Sequence, residues 1–151
     1  MSGKQQPFAD RQRARRRALQ SLYQWQLTGQ DIKDIQRQFC EEQDMSTVDV
    51  DFFNEIGRQV VEHQDELDAD LLPFLERDAA TLDPLERAVL WIGAYELKHH
   101  RYTPYRVVIK EAVDLAARFA SEQGHAFVNG VLDRAARKLR AEEYAEQAKE
   151  S

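Results

Sequence analysis

Cysteine occurs once in these 151 residues, at Cys40. A lone thiol closes no internal disulfide, and such a chain reads as cytoplasmic. No apolar run approaches the ~20 residues that span a bilayer, so no membrane association is expected. Met1 to Pro7 form a polar leader without the apolar centre of a signal peptide. No stretch shows the apolar/polar alternation of a half-buried strand, and glycine (six) and proline (four) are scarce. Both features leave an all-α fold. Cys/His spacing of a zinc finger is missing, as is an RRM signature with its paired aromatics. His63, His99 and His100 do not fall at ligand spacing, so no metal site is expected. Nor is there a Gly-rich phosphate loop, a nucleophile elbow or a recognisable Cys–His pairing. The sequence therefore predicts no enzyme and no cofactor.

Charge is abundant but unevenly placed. The net charge is −6, which taken alone argues against a nucleic-acid partner. Residues 1–20, however, carry Lys4, Arg11, Arg13, Arg15, Arg16 and Arg17 against Asp10 alone, a balance of +5 that leaves −11 on the remainder. A basic end on an acidic body is the footprint of a polyanion bound at one place, and the acidic body suits a separate basic partner. Arginine sharpens that reading, because its planar fork matches phosphate oxygens in a bidentate way that lysine does not.

The arginines run without Gly or Pro into a helical core segment. Ala14, Ala18, Ser21, Leu22 and Trp25 recur on one face. Asp10 is the expected cap and Gly29 the expected stop. A second helix is predicted from Asp31 to Glu42, with Ile32, Ile35, Phe39 and Cys40 on one face. A third opens at Asp49 or Asp51 and runs through Phe52, Phe53, Ile56 and Val60, with Gly57 inside it for close helix approach. The chain breaks near His63–Asp65 and resumes as a short helix, Glu66–Leu72, before Pro73. Asp83-Pro84-Leu85-Glu86 is the clearest start signal: cap, first-turn proline and capping-box acid. The helix that follows, Leu85 to His99, is apolar nearly all round and should be central. Thr103-Pro104 opens another, interrupted by Gly124, and a last core helix runs from His125 to Leu139. Residues 141–151 read as an exposed helical tail that frays. The polar zone Arg77–Thr81 is the seam between an N-terminal half (1–80) and a C-terminal half (81–140) of one domain.

Several residues carry two readings. The arginine cluster is either a solvated helix end or a phosphate grip, and the acidic background favours the grip. Trp25 reads as core. Tyr23, flanked by Leu19 and Leu27, lies on a second apolar strip that either packs internally or meets a partner. Phe127 reads as core or as a stacking platform for a base. Gly130, in mid-helix, implies a packing reason.

Five segments, in order, carry a family resemblance: Arg11-Gln12-Arg13-Ala14-Arg15 leading into Ala18 to Leu27; Asp83 to Leu90; Ala94-Tyr95-Glu96-Leu97; Pro104 to Ala112; and Phe127-Val128-Asn129-Gly130-Val131-Leu132-Asp133. Together they resemble the NusB family of bacterial transcription antitermination factors and cover nearly the whole chain. The resemblance implies an all-α fold of about seven helices in two small bundles packed along a shared N-terminal helix. It implies binding of single-stranded boxA RNA of ribosomal RNA leader transcripts together with the small-subunit ribosomal protein NusE. That pair would join an RNA polymerase antitermination complex that supports ribosomal RNA synthesis. Arg11, Arg13 and Arg15, extended by Arg16 and Arg17, would contact RNA, with Gln123 and Phe127 beside it. Tyr23 and Glu86 would face the partner. Whether the free protein forms a homodimer stays open. Ser121-Glu122-Gln123-Gly124-His125 departs from the more acidic, less Gly-containing segment expected there, so that Gln123 removes a negative charge and Gly124 is expected to loosen the helix start. Two alternatives remain: a non-catalytic helical scaffold that binds protein only, and a NusB-like RNA-binding domain acting with an RNA methyltransferase.

Overall fold

A computed structural model of the chain describes residues 7–76 and 78–150. The first six residues of the polar leader and Arg77 of the polar seam lie outside the described residues. Among the described residues there are eight α-helices and no strand: α1 (Pro7–Thr28), α2 (Ile32–Glu42), α3 (Val50–Glu62), α4 (Gln64–Leu71), α5 (Pro84–His99), α6 (Tyr105–Phe119), α7 (Glu122–Leu139) and α8 (Ala141–Glu150). Two short 3₁₀ turns, Leu72–Phe74 and Ala79–Thr81, lie between α4 and α5. The chain divides into two compact units, Met1–His63 and Gln64–Ser151. That division falls at the predicted break between the third and fourth helices and ahead of the polar stretch at 77–81. The reason is that α4 packs on α5 and α7.

In the first unit α1 packs on α3 and α2. Ala14, Ala18, Leu19 and Leu22 of α1 are fully buried, as are Ile35 of α2 and Phe53, Ile56 and Val60 of α3. Gly29 ends α1 at φ +70° and returns its amide to the Trp25 carbonyl at 2.9 Å, the left-handed stop expected of glycine. Asp31 and Asp49 cap α2 and α3 with their carboxylates. Gly57 permits the close approach of α2 and α3: a Cβ there would stand 2.5 Å from Gln36 Nε2. Gln36 is buried and pinned, donating to the Asn54 carbonyl (3.1 Å) and accepting from Arg58 Nε (2.9 Å). Three expectations are corrected here. Asp10 is not the cap of α1 but lies in its first turn, because the helix begins at Pro7. Cys40 is exposed, one step off the buried stripe of α2. Trp25 is half-buried rather than core, since the buried face of α1 ends at Leu22.

The second unit is built on α5, whose residues Ala88 to Leu97 are all buried. It packs on α4, α6 and α7. Asp83 caps it, accepting from the amides of Leu85 (2.8 Å) and Glu86 (3.4 Å), as the start signal predicted. Asp68 ties α4 to it by accepting from Trp91 Nε1 (2.8 Å) and Arg87 Nη2 (2.9 Å). The α6–α7 junction differs from expectation. α6 ends at Phe119, and Ser121 caps α7 by accepting from the Gly124 amide at 3.0 Å. Gly124 thus lies inside the first turn of α7 and does not interrupt the chain.

The C-terminal residues form the expected exposed helix, α8, and Glu143 ties it to Arg140 and to the start of α6. Arg140, 1% exposed, spends all five of its N–H donors. Nε donates to the Leu97 carbonyl, Nη2 to those of Glu96 (3.2 Å) and His100 (3.0 Å), and Nη1 to that of Thr103 (3.0 Å) and to Glu143 Oε1 (2.6 Å). Glu143 then accepts from the Tyr105 amide at 2.8 Å. One arginine therefore donates to the Leu97 and Thr103 carbonyls and adds a second donor to those of Glu96 and His100, which also accept from backbone amides, and one glutamate of α8 caps the start of α6. Thr103, the expected cap, makes no such bond, and Pro104 occupies the cap position.

Candidate nucleic-acid interface

The arginine-rich half of α1 is not uniform. Arg11 lies over the Phe52 ring, 4.5 Å from its centroid, with Nε 3.6 Å from the Asp49 carboxylate. Arg13 reaches Asp10 (3.2 Å) and the Thr47 carbonyl (3.3 Å), yet keeps 42% of its side chain exposed. Arg15 is 4% exposed, its guanidinium 5.1 Å from the Phe52 centroid. This corrects the view of Arg15 as a surface phosphate grip: it lies on the inward side of α1, between Ala14 and Ala18. Arg16 and Arg17 are half-buried. The surface group is thus Arg11, Arg13, Arg16 and Arg17, with Arg15 as its packed root.

Further along α1, Tyr23 is half-buried and lines a groove of about 460 Å³ with Arg17, Gln20, Leu27 and Phe39. Leu27 is 59% exposed on its rim. Apolar surface from Leu27 and Phe39 beside one phenol, amide groups and the Arg17 guanidinium makes a mixed lining of the kind that receives a protein side chain. The second apolar strip read from Leu19, Tyr23 and Leu27 is therefore split: Leu19 is fully buried and Leu27 is open.

In the second unit, Gln123 and Phe127 lie one turn apart on α7, Gln123 exposed and Phe127 half-buried. Glu86 of α5 comes against the same helix. A Cβ on Gly124 would lie 2.5 Å from Glu86 Oε2 and 3.3 Å from Ala120 Cβ. Gly124 sits where α7 meets Glu86 of α5. It makes room for the Glu86 carboxylate beside the amino-terminal turn, where negative charge is favoured. Sequence reasoning passed over a basic group at the other end of α7. Arg134, Arg137 and Lys138 line a hollow of about 390 Å³ with Phe74. Its signal was legible as the i, i+3, i+4 spacing of those cations. No group of three or more metal-ligating side chains occurs among the described residues, and no described helix is long and apolar enough to cross a membrane.

Comparison with known proteins identifies relatives of the whole chain. The NusB family profile matches residues 12–137. A transcription antitermination protein NusB of Nitrosococcus oceani is 49% identical over 138 residues, covering 91% of this chain and 93% of its own. The Xanthomonas campestris protein of the same name is 49% identical over 126 residues, covering 83% and 79%. Among solved structures, Thermotoga maritima NusB superposes with a TM-score of 0.78 at 27% identity, covering 89% of this chain and 96% of that one. A NusB chain crystallised with NusE and double-stranded RNA superposes with a TM-score of 0.74 at 26% identity, covering 83% and 95%. On sequence and fold together, the chain belongs to the NusB family.

Proposed function

We propose that this protein is a transcription antitermination factor. It binds single-stranded boxA RNA of ribosomal RNA leaders jointly with the ribosomal protein NusE, and so helps RNA polymerase avoid premature termination in the cytoplasm. The observation that carries the reading is the half-exposed arginine group of α1 in a family whose structural relative was solved with NusE and RNA. Arg11, Arg13, Arg16 and Arg17 supply phosphate contacts, which position a strand without reading its sequence. Gln123 and Phe127 supply a polar edge and an aromatic face, the means by which unstacked RNA bases are read. Tyr23 with its groove, and Glu86 with its carboxylate, receive a basic partner. Arg15 holds α1 onto Phe52 and does not touch RNA. The role involves no covalent chemistry.

The test is fluorescence anisotropy of a boxA strand and a scrambled strand, each with and without purified NusE. Preferential binding of boxA, strengthened by NusE, is the expected result. Equal binding of both strands, indifferent to NusE, would reduce the surface to generic polyanion attraction and overturn the reading.

A further inference from the structure

We infer that α7 carries a second RNA contact surface at its carboxyl-terminal end, formed by Arg134, Arg137, Lys138 and Phe74, and that the bound strand continues along α7 from Phe127 to reach it. The inference rests on the RNA-binding reading above and extends the footprint beyond the residues assigned there.

Three observations carry it. First, Gln123, Phe127, Gly130, Arg134, Arg137 and Lys138 recur at the spacing of one helical face. None of them is buried, whereas Gly124, Val128, Val131, Leu132, Ala135 and Ala136 turn the opposite face to the core. From Phe127 to Lys138 that strip is about 16 Å long at the helical rise per residue, the reach of a few nucleotides. Second, Gly130 leaves the middle of the strip without a side chain. A Cβ there would meet only Arg134 Nη1, at 3.4 Å. A glycine in the interior of a long helix sacrifices about 1 kcal/mol against alanine, and nothing in the core requires it. Its effect is to keep the track between Phe127 and the basic end low. Third, the cations are held in place and keep donors to spare. Arg134 Nη2 donates to the Phe74 carbonyl at 3.0 Å, and Arg137 Nε donates to the Tyr144 hydroxyl at 3.1 Å, each leaving further guanidinium N–H groups. The hollow between them is lined by Phe74, an aromatic face for a base beside cations for its phosphates.

A helix end rich in cations also satisfies the negative end of the helix dipole, but that needs no hollow, no aromatic wall and no glycine four residues before Arg134. Acidic residues outnumber basic ones in this unit, so three exposed cations on one face form a local exception. Asp133 is the acidic neighbour on α7, and it is engaged by Arg137 at 3.5 Å and by the Tyr144 hydroxyl at 3.5 Å. The charge and the aromatic wall together fit a single-stranded RNA rather than an acidic peptide, which would gain nothing from a stacking surface.

The experiment measures affinity for three RNAs: the boxA core, and the core extended by several nucleotides at the 5′ or the 3′ end. It uses the full chain, the double variant R134A/K138A and the charge-preserving R134K/K138R. The wild type should bind one extended RNA more tightly than the core, with a salt slope steeper by about 0.7 per added phosphate contact. R134A/K138A should lose that gain and that slope while binding the core as the wild type does, and R134K/K138R should retain most of both. Circular dichroism melts of the variants confirm that each is folded. No gain from either extension in the wild type, or a gain that R134A/K138A keeps, overturns the inference while leaving the core reading intact. Loss of NusE binding by R134A/K138A with RNA affinities unchanged would assign the surface to protein and overturn it too. Failure of the wild type to bind any of the three RNAs would instead defeat the RNA-binding reading itself.

Discussion

At the scale of single residues, the arginine cluster divides by direction. Arg13 and Arg15 are two positions apart, roughly 200° around a helix, so they cannot share a face. Arg15 is 4% exposed against Phe52, while Arg13 keeps 42% of its side chain in solvent. Their substitutions should therefore differ in kind. Arg15→Met loses a desolvated cation–π contact and should lower stability by about 2 kcal/mol, read as a shift of the urea midpoint, with the salt dependence of RNA binding unchanged. Arg13→Met removes a half-exposed ion pair with Asp10, worth about 1 kcal/mol at most by the surface range, and should weaken RNA binding with little change in the midpoint. The opposite pattern would mean that Arg15 leaves its packed position when RNA binds.

At the scale of elements, the joints of the second unit are made by side chains that come from far along the chain. Arg140 serves carbonyls at Glu96, Leu97, His100 and Thr103, and Glu143 serves the first amide of α6. Replacing Arg140 by Met removes the side-chain donor from the Leu97 and Thr103 carbonyls and leaves Glu143 without its cation, while the Glu96 and His100 carbonyls keep the backbone amides of His100 and Thr103. Losing a hydrogen bond made by a charged group typically costs about 1.5–3 kcal/mol. Arg140→Met should therefore lose at least that in urea unfolding, whereas Glu143→Gln, which keeps an acceptor for the Tyr105 amide, should lose about 1–2 kcal/mol as a charged hydrogen bond becomes neutral. Equal, small losses would show that water satisfies these carbonyls and that α8 adds little. This joint also marks where sequence reading stops. Asp31, Asp49 and Asp83 were legible as caps because a cap lies within a few residues of the amides it serves. The Arg140 and Glu143 bonds cross about forty residues of sequence, and no local pattern announces them. Thr103-Pro104 illustrates the error: it has the form of a cap signal, but Glu143 has taken the role. Gly124 misled for the same reason. Read locally it is a break, but its neighbour Glu86 lies on another helix.

At the scale of the whole molecule, the balance of charge governs how the protein meets RNA. A net charge of −6 repels a polyanion at long range, and the basic first twenty residues must overcome that repulsion locally. Salt screens both effects, but not equally. The diffuse repulsion fades over a Debye length of about 8 Å at physiological ionic strength, whereas counterion release at phosphate contacts persists as a log–log slope of about −0.7 per contact on single strands. RNA affinity should therefore fall with salt despite the acidic body, and the slope should report the number of contacts rather than the net charge. Arg13→Ala with Arg16→Ala should make the slope shallower by about 1.4 if each arginine neutralises one phosphate. The shift will be smaller to the extent that Arg13 exchanges its Asp10 partner for a phosphate, because that pair also releases salt dependence when it breaks. Neutralising two exposed acids of α8, Glu146 and Glu150, should raise affinity slightly at low salt and leave the slope unchanged. Titration of anisotropy across a series of salt concentrations separates the two effects. A slope that followed net charge in both variants would place the attraction in the overall field and remove the arginines of α1 from the contact.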